Sequence, residues 1–131
     1  MKLHPSELFI IYDPTNTYGR HTLAYAHSHT SHVQSHDVMK EKFTTTHWGE
    51  ILDRLGLRAK DLLNRAHQDY QRTIAGGNYG DDDWLTILTH NPHLIRYPIA
   101  LKGQNAVLCK SPTDIFKLPD VTPDPRQVTN V

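Results

Sequence analysis

The first apolar run along the chain, Leu8-Phe9-Ile10-Ile11-Tyr12, is short, rich in β-branched and aromatic residues, and closed by Asp13-Pro14. That pattern predicts a buried strand. A polar loop fills 13–19, and Leu23, Ala24 and Ala26 give the following segment, Arg20 to His29, a helical reading. Val33 to Met39 is polar and weakly patterned, as expected of a strand near a sheet edge. The clearest amphipathic period comes next, with Trp48, Ile51, Leu52 and Leu55 at i, i+3, i+4 and i+7. Thr44-Thr45-Thr46 supplies hydroxyls for its N-cap and Gly56 a C-terminal stop. A short helix is expected over Ala59 to Asn64, and the glycine-bearing stretch Ile74 to Gly80 reads as a loop. Asp81-Asp82-Asp83 then opens a helix whose stripe is Trp84, Ile87 and Leu88, ended by Asn91-Pro92.

Two apolar runs, Leu94 to Leu101 and Ala106 to Cys109, flank Lys102 to Asn105 with Gly103 inside it, which is a hairpin signal. Pro98 interrupts the first run and belongs at an edge, a bulge or a strand start, because it has no ladder donor. Ser111-Pro112 opens a last helix to about Leu118. From Pro119 onward the chain is polar and proline-rich and reads as a disordered tail, 119–131. The order β-α-β-helices-β-β-α suggests an α/β domain with one mixed sheet covered by helices.

Composition narrows the function more than it names it. Fourteen Lys+Arg balance fourteen Asp+Glu over 131 residues, which argues against a general nucleic-acid binder. One cysteine excludes an internal disulfide framework and a zinc site built on several thiolates. No apolar run approaches the ~20 residues that span a bilayer. The first residues, Met1 to Pro5, lack a signal peptide's apolar segment, so a cytoplasmic, membrane-free protein is expected.

Several pieces then align. Tyr12-Asp13-Pro14 ends the first strand, Arg20-His21-Thr22-Leu23 opens the first helix, and His90-Asn91-Pro92-His93-Leu94-Ile95-Arg96-Tyr97-Pro98-Ile99 leads into Leu108-Cys109-Lys110-Ser111-Pro112. Over residues 7–118 the chain resembles the glutaredoxin-linked arsenate reductase (ArsC) and Spx family. The resemblance implies a thioredoxin-like mixed four-stranded sheet flanked by helices, with a helical insertion at about 44–91. It also implies that Pro98 is a cis-proline facing the active loop.

The redox members carry a nucleophilic cysteine four residues before the helix-opening arginine. Arg20 matches that arginine, and counting back four reaches Asn16. An amide cannot ionise to the nucleophile that thiol chemistry requires. The oxyanion-binding arginines are altered as well. Arg96 is displaced by one position, with Tyr97 preceding Pro98, and strand alternation would turn its guanidinium away. Lys110 follows the cysteine where the reductases have arginine, keeping charge without bidentate geometry. Asn64 takes the place of a further arginine, with Arg65 beside it.

The expected function is therefore a non-catalytic binding or regulatory protein of the ArsC/Spx type. Asn16, Thr17, Arg20, Arg96, Tyr97, Pro98 and Lys110 are its candidate binding residues. A small anion, glutathione or a protein is the expected partner. The alternative is a divergent glutathione- or glutaredoxin-linked oxidoreductase using Cys109, the lone thiol. Tyr18 and Tyr97 are candidates to flank the groove, with core packing an equal reading. No required cofactor is expected. Ten histidines include His27, His29, His32 and His36 followed by Asp37, which read as a solvated, pH-sensitive surface rather than a metal site.

Overall fold

β1 (Leu8–Tyr12) lies inside the sheet and buries both faces, and its alternation decides the architecture. Leu8 and Ile10 enter one core and Ile11 the other, as side chains two apart on a strand must share a face. The computed structural model describes residues 4–119 and Val121. α1 (Thr17–His29) crosses over to β2 (Val33–Asp37), which pairs with β1 in parallel. Four helices follow: α2 (Thr45–Leu55), α3 (Ala59–Leu62), α4 (Gln68–Thr73) and α5 (Asp81–His90). The chain returns through β3 (Ile99–Lys102), antiparallel to β1, and turns at Gly103, φ 60°, into β4 (Asn105–Leu108). The four-stranded sheet has the order β2-β1-β3-β4, with the polar β2 at one edge.

The same alternation runs through the hairpin. Ile99 and Leu101 face the helical insertion, whereas Ala100 faces α1 and the closing 3-10 helix Pro112–Lys117. The larger core gathers Trp48, Ile51 and Leu88 from the insertion against Ile11, Ile99 and Leu101. α2 follows its sequence signals: Thr44 Oγ1 accepts the His47 N–H at 3.2 Å, and Gly56 closes the helix in the left-handed region, φ 68°. α5 is capped one residue earlier than its aspartates suggest. Gly80 is the N-cap, and its N–H donates to Asp83 Oδ2 at 3.0 Å.

Four expectations change. The strand expected from Leu94 begins only at Ile99, because Pro92–Leu94 forms a 3-10 turn and Ile95 bridges Leu63 instead of the sheet. Pro98 precedes β3, so its missing N–H interrupts no ladder. The Tyr97–Pro98 bond is trans, since no peptide bond among the described residues is cis. Trans is the lower-energy isomer, and a proline outside the ladder has no turn that demands the other. α4 has no counterpart in the apolar pattern, because Tyr70 is its one buried residue. Val121, within the expected tail, is only 7% exposed and packs with Ile115 and Leu118. The remaining tail positions, 120 and 122–131, lie outside the described residues.

Candidate functional site

The loop before α1 is held by its own polar side chains. Asp13 Oδ1 accepts the Thr15 backbone N–H at 2.9 Å and the Thr15 hydroxyl at 2.7 Å. Gly19 lets the first turn of α1 sit against this loop, since a Cβ there would stand 2.5 Å from the Asp13 carbonyl oxygen. Asn16 is the N-cap. Its Oδ1 accepts the Tyr18 N–H at 2.8 Å, and its Nδ2 donates to the Arg96 carbonyl at 3.0 Å. Both ends of the amide are thus engaged, and one of them ties the loop to a segment eighty positions later.

Thr17 and Arg20 are exposed and bond back to the loop. Arg20 donates to the Pro14 carbonyl at 3.1 Å and to Thr17 Oγ1 at 3.3 Å. Neither residue lines the large cavity nearby, and neither do Asn16 and Pro98. Pro98 is buried and contributes its carbonyl, which accepts the Cys109 N–H at 2.8 Å.

That cavity, about 830 Å³, lies between the insertion and β4. Lys60, Arg65, Arg96 and Lys110 line it against one carboxylate, Asp61. Asp61 already accepts the Arg58 N–H at 2.9 Å. The chain as a whole is neutral, so this concentration of cations is local and creates a field that favours anions. Leu55, Leu57, Leu63 and Leu108 supply apolar wall. Tyr97 also lines the cavity, with the Arg96 guanidinium 5.1 Å from its ring centre, a cation–π distance. Its ring meets Tyr18, 44% exposed, edge-on at 5.0 Å, so the two tyrosines link the cavity to the α1 loop.

Arg96 corrects the alternation argument. Residues 94–98 are not strand, so Arg96 and Tyr97 both reach the cavity instead of pointing to opposite faces. The fold brings together Arg96, Tyr97 and Lys110 of the expected set and adds Lys60 and Arg65. Lys60 carried no signal in the sequence beyond its charge, because its place depends on where α3 docks.

Cys109 is fully buried among Leu8, Ile10 and Ile115. Burial and the nearby Asp114 carboxylate push its thiol up to about 12, so it stays protonated at neutral pH. A buried thiol of that kind offers no nucleophile. The four histidines near β2 take separate roles. His29 packs on Tyr25 and Phe116, His36 stacks on Phe9 at 3.7 Å and meets Glu41, and His27 and His32 are exposed.

No protein-family profile matches the chain, and no curated protein matches its sequence. Solved structures do match. The arsenate reductase from Vibrio cholerae superposes with a TM-score of 0.73 at 17% identity, covering 87% of this chain and 98% of that one. A Yersinia pestis protein given the arsenate reductase name provisionally has a TM-score of 0.73 at 21% identity, with coverages of 86% and 100%. An ArsC-related protein from Brucella melitensis has a TM-score of 0.63 at 16% identity, covering 89% and 100%. The shared architecture is the thioredoxin-like fold of these ArsC structures, with its mixed sheet and flanking helices.

Proposed function

We propose, from the arsenate reductase fold that the chain shares, that it is an ArsC/Spx-type protein that binds an organic anion and does no thiol chemistry. The observation that carries this reading is the Asn16 amide at the N-cap of α1, the position where a helix terminus would activate a thiolate. The one thiol in the chain is buried and held protonated, which argues against the Cys109 oxidoreductase alternative.

The ligand class follows from charge and size. Four cations and one engaged carboxylate favour a negative group. A cavity of about 830 Å³ exceeds what a bare oxyanion fills and lies in the range of organic ligands. A peptide-sized carboxylate such as glutathione fits both, its carboxylates against Arg65, Arg96 and Lys110 and its backbone along the leucine wall. Calorimetric titration of the full chain with reduced glutathione tests this. Saturable binding is expected, weakened roughly fivefold or more by Arg96→Ala and by Lys110→Ala, the share of a charge-assisted contact of about 1 kcal/mol or more. Lack of saturation, or affinity indifferent to both substitutions, refutes the ligand assignment. Arsenate reduction with glutathione and glutaredoxin, present in the wild type and lost in Cys109→Ser, refutes the non-catalytic reading.

A further inference from the structure

Two histidines and an aspartate, from the start of α4 and from the turn after α5, converge beside the basic cavity without lining it. His67 precedes α4 and caps it, its Nδ1 accepting the Asp69 N–H at 3.1 Å. Asp69 lies in the first turn of α4, and His93 in the 3-10 turn Pro92–Leu94. Asp69 Oδ2 stands 3.0 Å from His93 Nε2. The two imidazoles are 5.5 Å apart between ring centres and nearly perpendicular, at 76°. One ligand atom from each of the three residues lies within 4.8 Å of the other two. The convergence is built by backbone pairing. Asn64 N–H donates to the Leu94 carbonyl at 2.7 Å and Arg96 N–H to the Leu62 carbonyl at 3.0 Å, which holds the two segments side by side.

We propose that His67, Asp69 and His93 bind a divalent first-row transition cation, with zinc the best fit to the donor set. Two imidazole nitrogens and a carboxylate oxygen suit zinc and its neighbours, whereas magnesium and calcium select all-oxygen sites. Metal–ligand bonds of ~2.0–2.2 Å place neighbouring ligand atoms roughly 3.0–3.5 Å apart. The Asp69–His93 edge already has that length, so the remaining adjustment falls on His67. Helix caps favour Ser, Thr, Asp and Asn, and a histidine at this cap places an imidazole where those residues would leave none. The three side chains are neither fully buried nor fully open: His93 is 28% exposed and Asp69 48%. A cation can therefore enter from solvent, and water completes its coordination. The site is independent of the anion reading, since none of its residues lines the cavity.

The test is calorimetric titration of the full, untagged chain with zinc chloride near pH 7.5. One tight site per chain is expected. Asp69→Asn, which keeps the size and the backbone cap, weakens it at least tenfold, and so does His93→Ala. The combined His27→Ala, His32→Ala variant, at two exposed positions, retains it. Thermal melts with and without zinc give a second readout: the metal raises the wild-type midpoint and leaves that of Asp69→Asn unmoved. A wild type with no saturable site overturns the proposal. So does a tight site that survives both Asp69→Asn and His93→Ala, or one lost with His27 and His32.

Discussion

Replacing Asn16 by alanine separates a structural amide from an idle relic of a redox loop. The substitution removes two bonds, the 2.8 Å cap to the Tyr18 N–H and the 3.0 Å bond to the Arg96 carbonyl. Loss of an N-cap acceptor costs about 1 kcal/mol. Loss of the long-range hydrogen bond costs about 1 kcal/mol more, since at this exposed site the carbonyl recovers part of its bonding from water. The sum, about 2 kcal/mol, corresponds to a fall in melting temperature of roughly 8 °C for a domain of this size. Asn16→Ser divides the total, because a serine hydroxyl still caps the helix but does not reach Arg96. About 1 kcal/mol of loss is expected there. Urea unfolding followed by circular dichroism measures both. An Asn16→Ala protein within about 0.5 kcal/mol of wild type would refute the two-ended role. Equal losses for the two variants would assign the whole effect to the bond with Arg96.

Three further outcomes follow from buried groups and close approaches. Cys109 should resist iodoacetamide at pH 8 in the folded protein and react fully in denaturant, as measured by intact mass. Its thiol titrates at about 12 when folded against an ordinary value of 9.0, so the unfolded chain releases the proton first and stability falls as pH rises between those values. Gly19→Ala places a Cβ 2.5 Å from the Asp13 carbonyl oxygen and should destabilise by about 2 kcal/mol or more, read from a thermal melt. Burial opposes ionisation of Asp114, but Lys117 and the Ser111 and Lys110 N–H groups outweigh it and hold the carboxyl below 3.8. Its contribution is complete above that value and is lost as pH falls through the lower folded one, so Asp114→Asn should flatten this part of the acid unfolding curve.

Local pattern was enough for much of the scaffold. The apolar run of β1, the i, i+3, i+4, i+7 stripe of α2 with its threonine cap and Gly56 stop, and the turn at Gly103 are short-range signals, and each formed where it was read. The absence of sulfur from the α1 loop is also a fact of covalent sequence. Packing settled the rest. α4 rests on one buried tyrosine and a histidine cap, too little period to read in advance. Arg96 reaches the cavity because residues 94–98 leave the sheet, and Lys60 joins it because of how α3 docks. The Cys109 thiol is held protonated because the core around it excludes water. The His67–Asp69–His93 cluster exists because backbone bonds lay two distant segments side by side. Periodicity and capping act within a few residues and are written into neighbours. Charge convergence and protonation depend on which distant atoms become neighbours and how much solvent remains between them.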